Sequence, residues 1–380
     1  MDVSRKPRIL LFNEFGSLNG GERSLLAVLP HLRERFQFIA AVPCPSPLAQ
    51  RLQDLQIDLL PLALKSSGEQ NNEGENDRHL VDLIERASPD LVHANSLQMS
   101  RRLGRICDRL RGPCIGHIRD IVRLSKKAVG DLNRLSKLIF VSAVTRDCYL
   151  SQGVDATKGC VVFNGVDLEI FQPRQPTGFI HRELGLPEQA PLLLAIGQMG
   201  MRKGLDVLFD AFERVRERHP QIHLMIVGQR YSGKDEAIEY EQSLLLRADS
   251  AVLRGYVHFL GRRDDVHLLM NEATLLVHAA REEPLGRVLL EACASGLPVV
   301  ATNVGGTSEI FPEGREAAVL VPKNDSESMS SAIIKLLFDD ARLGVLARSA
   351  RKRATECFDA GMAVTHLAQI YGEMLEAECF

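Results

Sequence analysis

Short apolar runs bounded by turn residues alternate with longer amphipathic stretches along most of the chain. In the first half the strand-like runs fall at residues 8–14, 36–42, 57–60, 90–93, 114–117, 138–141 and 160–163. In the second half they fall at 191–197, 222–228, 256–261, 275–277, 298–301 and 317–321. Most are Val-, Ile- and Leu-rich without clean alternation, the pattern of strands covered on both faces. Between them, stretches such as 23–33 and 206–218 carry apolar residues at helical spacing. Strand–helix alternation of this kind predicts an α/β protein with parallel sheets and helices on both faces.

At 380 residues the chain is long for one core, so two domains are expected, 1–173 and 188–360. Residues 173–187, rich in Pro, Gln, Thr and Gly, read as the linker. Residues 65–78 contain no strongly apolar side chain and no periodicity, which predicts a mobile surface loop.

Composition changes this picture little. Hydrophobic content of 45% and charged content of 25% are ordinary for a globular protein; the net charge of −3 says nothing about nucleic acid, and no nucleic-acid partner is expected. The eight cysteines form no C-x-x-C pair and read as free, mostly buried thiols in a reducing compartment. The first apolar run is cut short by Asn13-Glu14, so no signal-peptide core is seen, and no run is long enough to span a membrane. A cytoplasmic location is expected. One local departure stands out. Residues 101–137 hold eleven Lys or Arg against three Asp. That surplus reads either as a solvated helical face or as an electropositive patch for an anionic acceptor or the inner face of a membrane.

The densest chemistry lies between Thr274 and Glu309. An apolar strand (Leu275, Leu276, Val277) is broken by Glu283-Pro284-Leu285-Gly286. A helix follows from Arg287, with Val288, Leu289, Ala292 and Cys293 on one stripe, until Gly296 and Pro298 stop it. A second strand and the pair Gly305-Gly306 complete a βαβ unit of the kind that binds nucleotides at strand C-termini. Gly286 permits close backbone approach, and the amides of Arg287 and Val288 at a helix start suit a phosphate. Glu283 and Glu291, on the loop side, are placed to accept hydroxyl hydrogen bonds on either side of a diphosphate.

Glu283-x7-Glu291, followed by Ala-Ser-Gly-Leu-Pro-Val-Val-Ala and by Gly-Gly-x-x-Glu ending at Glu309, resembles the signature of the group-1 (family 4) retaining nucleotide-sugar glycosyltransferases. The resemblance implies the GT-B fold, two Rossmann-like domains with parallel sheets facing across a cleft. It extends over essentially the whole chain, including Asn164-Gly165-Val166-Asp167 near the end of the first domain, with Asp167 placed to cap the segment after it. It also implies that the final helix, about 361–380, crosses back onto the first domain along Met362, Leu367, Ile370, Met374 and Leu375.

The resemblance further implies transfer of a sugar from a nucleoside diphosphate sugar to a hydroxyl acceptor, such as a polysaccharide or lipid-linked precursor. Glu283 would hold the donor sugar's hydroxyls and Glu291 the ribose. Lys203 and Arg202, with the amides of 286–288, would carry the diphosphate charge. Gln198 stands where the family has an arginine. Gly261 and Arg262 would lie near the base, and Gly20 and Gly21 near the donor phosphate. Arg119 falls at the family's histidine position when Asp120 is aligned, with His117 two residues earlier. His93, Asp120 and Asn164 would line the acceptor side, His93 as a strand-end residue. With no Asp-x-Asp in the chain, no metal and no further cofactor are expected. Three substitutions, Gln198, Ala279-Ala280 and Leu285, depart from the pattern in the donor pocket. An epimerase, a glycan phosphorylase and a non-catalytic sugar-nucleotide-binding scaffold are the alternatives; no acid–base pair or pyridoxal-phosphate lysine for the first two is apparent.

Overall fold

The computed structural model describes residues 5–64 and 72–377. The chain divides into two compact units, residues 1–165 with 360–380, and residues 166–359.

In the first unit seven parallel strands form one sheet: β1 (Arg8–Phe12), β2 (Gln37–Val42), β3 (Asp58–Pro61), β4 (Leu91–Ala94), β5 (Cys114–Ile118), β6 (Lys137–Phe140) and β7 (Gly159–Val161). Their order is β3-β2-β1-β4-β5-β6-β7. Side chains alternate along each strand, so the two faces fill different cores. Leu10, Val92, Cys114 and Phe140 face the helices Asn72–Ala87, Leu97–Ile106 and Lys126–Asn133. Ile9, Leu11, Leu91 and Ile115 face the helices Gly20–Leu32 and Pro47–Asp54 and the final helix Ala360–Ala377. That final helix buries Ala363, Leu367, Ile370 and Tyr371, while Met362, expected on its apolar stripe, is exposed.

The second unit holds six parallel strands: β8 (Leu192–Ile196), β9 (His223–Val227), β10 (Val257–Gly261), β11 (Leu275–His278), β12 (Val299–Thr302) and β13 (Val319–Val321). Their order is β10-β9-β8-β11-β12-β13. Both sheets have the doubly-wound arrangement in which strand order reverses beside the first strand, and ligands of such sheets bind outside the strand C-termini at that reversal. The reversal lies between β1 and β4 in the first unit, and between β8 and β11 in the second.

Three expectations need correction. The chain passes into the second unit at Val166, whose amide bonds to Phe358 O at 2.8 Å, so entry and exit lie side by side. Residues 173–187 therefore belong to that unit and are not a free linker. Buried Glu272 accepts the amides of Thr177 (2.6 Å) and Gly178 (2.9 Å) and the Thr177 hydroxyl (2.8 Å), and the helix Phe179–Leu184 buries Ile180. Of the expected loop at 65–78, residues 65–71 lie outside the described residues, and the rest begins the helix Asn72–Ala87. Glu73 and Glu75 in its first turn suit the helix dipole, Asn76 is buried, and Asp77 takes a bidentate bond from Arg105. The seven described cysteines are free, but only Cys114 and Cys293 are buried. Among the described residues no helix is long and apolar enough to cross a membrane.

Candidate donor site

In the second unit the loops leaving β8 and β11 meet at the strand reversal. Lys203 ends a short turn, Met201–Lys203, that closes on Gly204; Gly204 has φ +61°, and a Cβ there would overlap the Ala279 carbonyl. The two loops can approach this closely only because that position is glycine. From the other side, Gly305 (φ +52°) lies against the Glu283 carbonyl, which accepts the Gly306 amide at 2.9 Å. The 279–283 loop is thus held between two glycine contacts, at Ala279 and at Glu283.

Its carboxylate gathers the cationic side chains. Lys203 Nζ donates to Glu283 Oε2 at 2.5 Å, His278 Nε2 lies 3.0 Å from the same oxygen, and Arg202 Nη1 lies 3.9 Å away. Burial alone would raise the Glu283 pKa, but the Lys203 ammonium and the His278 hydrogen bond outweigh it and hold the carboxyl well below its ordinary range. His278, fully enclosed at the end of β11, is lowered by burial and by Lys203; it is a neutral donor to the carboxylate. Sequence reasoning passes over His278, although a histidine closing a parallel strand of an α/β unit is itself a signal.

Beyond Glu283, Gly286 caps the helix Arg287–Ser295 in the left-handed region (φ +103°), so the helix N-terminus, with the amides of Arg287 and Val288, follows directly on the loop after β11. Glu291 is buried and ion-paired to Arg287 at 2.7 Å. Gln198 is exposed on the loop after β8. Gly261 ends β10, its carbonyl accepting the Gly228 amide, and Arg262 beyond it is exposed and 3.7 Å from Asp264. The neighbouring Arg263 is tied to Glu183 and Asp265.

The first unit has a polar cluster of its own at the ends of β1, β4 and β5. Arg119 donates to Asn95 Oδ1 (2.8 Å from Nη2), Asn164 Oδ1 (2.7 Å) and His117 Nδ1 (3.2 Å). Gly21 packs against it, for a Cβ there would lie 2.9 Å from Arg119 Cδ, whereas Gly20 has open space around it. Asp120 is exposed, its carbonyl accepting from Tyr149. His93 is not a lining residue. It is fully buried, stacked on His117 at 5.4 Å and bonded through Nδ1 to Tyr371 at 2.6 Å. Its position on β4 turns it toward the final helix, and the strand pattern alone does not show that a helix from the far end of the chain covers that face. Burial lowers its pKa to about 3. The basic stretch 101–137 is partly neutralised, with Arg105 on Asp77, Lys127 on Glu73, Arg134 on Asp108 and Arg119 turned into the cluster.

A fold of two doubly-wound units is shared with known proteins. Residues 177–354 match the family described as glycosyl transferases group 1, and residues 18–170 match glycosyltransferase family 4. The chain belongs to these group-1, family 4 glycosyltransferases, and its fold is GT-B. Among solved structures, it is similar to the Anabaena protein HepE in complex with UDP-glucose, with a TM-score of 0.86 and 23% identity over 96% of this chain and 99% of that one. It is also similar to WaaG, a glycosyltransferase involved in lipopolysaccharide biosynthesis, with a TM-score of 0.73 and 18% identity over 95% and 99% of the two chains. Likeness at these identities establishes the fold. Among curated relatives, it is 32% identical over 235 residues to the D-inositol 3-phosphate glycosyltransferase of Salinispora arenicola, 59% of this chain and 51% of that one. It is 25% identical over 241 residues to spore coat protein SA of Bacillus subtilis, 60% and 64% of the two chains. The matched segments span less than two thirds of each curated relative's own length.

Proposed function

We propose that this protein transfers a sugar from a nucleoside diphosphate sugar to a hydroxyl acceptor with retention of anomeric configuration. The observation that carries the reading is the cluster of Lys203, His278 and Arg202 on Glu283, beside a helix N-terminus at the strand reversal of the second unit. A diphosphate seated there meets the Lys203 ammonium and the first-turn amides of Arg287 and Val288, which stabilise charge as the leaving group departs. As Lys203 turns toward the phosphate, Glu283 keeps His278 as hydrogen-bond partner and offers its carboxylate to donor-sugar hydroxyls. Glu291 takes the ribose by exchanging its Arg287 contact. On the acceptor side, Arg119, held in place by Asn95 and Asn164, faces the incoming hydroxyl compound, with Asp120 beside it. The reading requires no metal.

Binding and slow hydrolysis of UDP-, GDP-, ADP- and dTDP-sugars, measured together, test this. UDP-glucose comes first because HepE was crystallised with it. One donor should bind and turn over, and Lys203→Ala should weaken it by tenfold or more, about 1.4 kcal/mol or greater. Glu283→Gln should remove turnover. Binding without turnover in the presence of sugar and lipid-linked acceptors favours a scaffold, and no binding to any donor rejects the reading. Exposed cations of the basic stretch for which no ion pair is seen among the described residues, Arg109, Arg111, Arg123 and Lys126, support peripheral contact with an anionic membrane face. Equal binding of wild type and Arg123→Ala/Lys126→Ala to anionic vesicles would reject that contact.

A further inference from the structure

The cations that face the proposed diphosphate sit on a loop with little regular structure, so something must hold them. The loop after β8 turns once at Met201–Lys203 and carries both Arg202 and Lys203. The loop after β11 carries Glu283. Between the two runs a lattice of hydrogen bonds centred on Arg281, two residues before Glu283. Arg281 donates its backbone amide to Arg202 O at 2.8 Å. Its guanidinium donates to Met201 O at 2.6 Å, to Asn324 Oδ1 at 2.7 Å, and to both Asp206 oxygens at 2.9 and 2.6 Å. Asp206 opens the helix Leu205–Arg218, directly behind Lys203 and Gly204. It is fixed in turn by Tyr240, whose hydroxyl donates to Asp206 Oδ1 at 2.8 Å and receives the Asp206 amide at 3.2 Å. In return Arg202 Nη1 bonds Glu282 O at 2.9 Å.

We propose that Arg281 and Asp206 are positioning residues: their bidentate pair, anchored by Tyr240 and Asn324, sets the Met201–Lys203 turn so that Lys203 stands against Glu283. A planar guanidinium is needed because four acceptors from three chain segments converge on it, and a lysine has neither the fork nor the number of fixed donors. The pair does not touch the diphosphate. It acts through Lys203.

The first arm of the test needs no ligand and so stands apart from the function proposed above. In ligand-free protein, deuterium exchange at the Lys203 and Gly204 amides, which close the turn onto Gly200 and Met201, reports its opening, and acylation of Lys203 followed by peptide mass spectrometry reports the loss of its Glu283 partner. Arg281→Ala should speed both by about tenfold or more, with β12 amides unchanged as the sign that the unit remains folded. Arg281→Lys should restore little of the protection, and Tyr240→Phe, a milder change, should give a smaller shift in the same direction. Unchanged exchange and labelling at Lys203 in Arg281→Ala would overturn the proposal.

The second arm rests on the donor reading and uses UDP as the probe. Arg281→Ala should weaken UDP binding in the wild-type background by about tenfold and by less than about twofold in Lys203→Ala, because residues acting through one group are not additive. Equal losses in both backgrounds would mean that Arg281 does not act through Lys203. Failure of wild type to bind UDP, GDP or ADP bears on the function and leaves the first arm standing.

Discussion

Removing the Lys203 ammonium strands a buried carboxylate, and the structure sets the size of the effect. The Glu283 side chain is 9% exposed, and a single oxygen receives Lys203, His278 and the more distant Arg202. Arg202 is 46% exposed, and pairs that open to solvent contribute about 0–1 kcal/mol. In Lys203→Met, therefore, the carboxylate keeps one neutral imidazole donor and a screened guanidinium. Breaking a buried ion pair from one end costs about 3–5 kcal/mol, whereas neutralising both ends with groups of similar shape is often close to neutral. We expect Lys203→Met to lower the stability of the second unit by about 3–5 kcal/mol near neutral pH, and Lys203→Met/Glu283→Gln to recover most of that loss.

The pH dependence supplies a second, independent sign. In the wild type the folded pKa of Glu283 is depressed, so its pairing stabilises the protein above the unfolded carboxylate value and is lost only as pH falls through the folded value. Without Lys203, burial acts with less opposition, so the folded pKa moves up and the carboxylate takes a proton more readily as pH falls. The penalty is then absent in acid and grows as pH rises, so the cost of Lys203→Met should shrink between about pH 7.5 and about pH 4.5. The assay is urea unfolding combined with native-state hydrogen exchange at β11 amides, which assigns the loss to this unit even where the two units unfold separately. A loss below about 1 kcal/mol, or one that does not change with pH, would refute the argument that Lys203 neutralises a buried Glu283.

Gly305→Ala should lower the melting temperature by at least about 2 °C, since it combines a positive φ with an overlap on the Glu283 carbonyl, and roughly 1–2 kcal/mol is lost to the backbone conformation alone. An unchanged melting temperature would show that the two loops are not packed as described. His223 is buried against His258 (3.0 Å between ring nitrogens) and the Tyr256 ring, and the Arg216 guanidinium lies over that tyrosine. Burial and these neighbours lower its pKa to about 4. Because the unfolded histidine binds its proton first, this contribution to stability is complete above about pH 6.5 and falls as pH drops toward 4. Replacing His223 by Asn should flatten the urea midpoint over that window, and a slope equal to that of wild type would reject the assignment.

The sequence by itself determined the elements and the family. Every strand expected from the apolar runs is present within a few residues, because runs such as Leu192–Ile196 and Val299–Thr302 are short, almost wholly apolar, bounded by turn residues and buried on both faces. The motif from Glu283 to Glu309 was legible for a related reason: its glycines answer local demands of φ and close approach that leave few alternatives. Tertiary structure decided what local pattern cannot carry. That Glu283 is shared by Lys203, eighty residues earlier, and by His278 depends on β8 and β11 being neighbours at the strand reversal. The burial of His93 was settled by Tyr371 from the last helix, 278 residues away. The offset of the basic stretch 101–137 came from Glu73 and Asp77 on a helix whose first turn looks like a polar loop when read alone. In each case the sequence specifies the side chain and its chemistry, while its pairing and burial depend on elements distant in the chain, and only the folded sheet order brings those together.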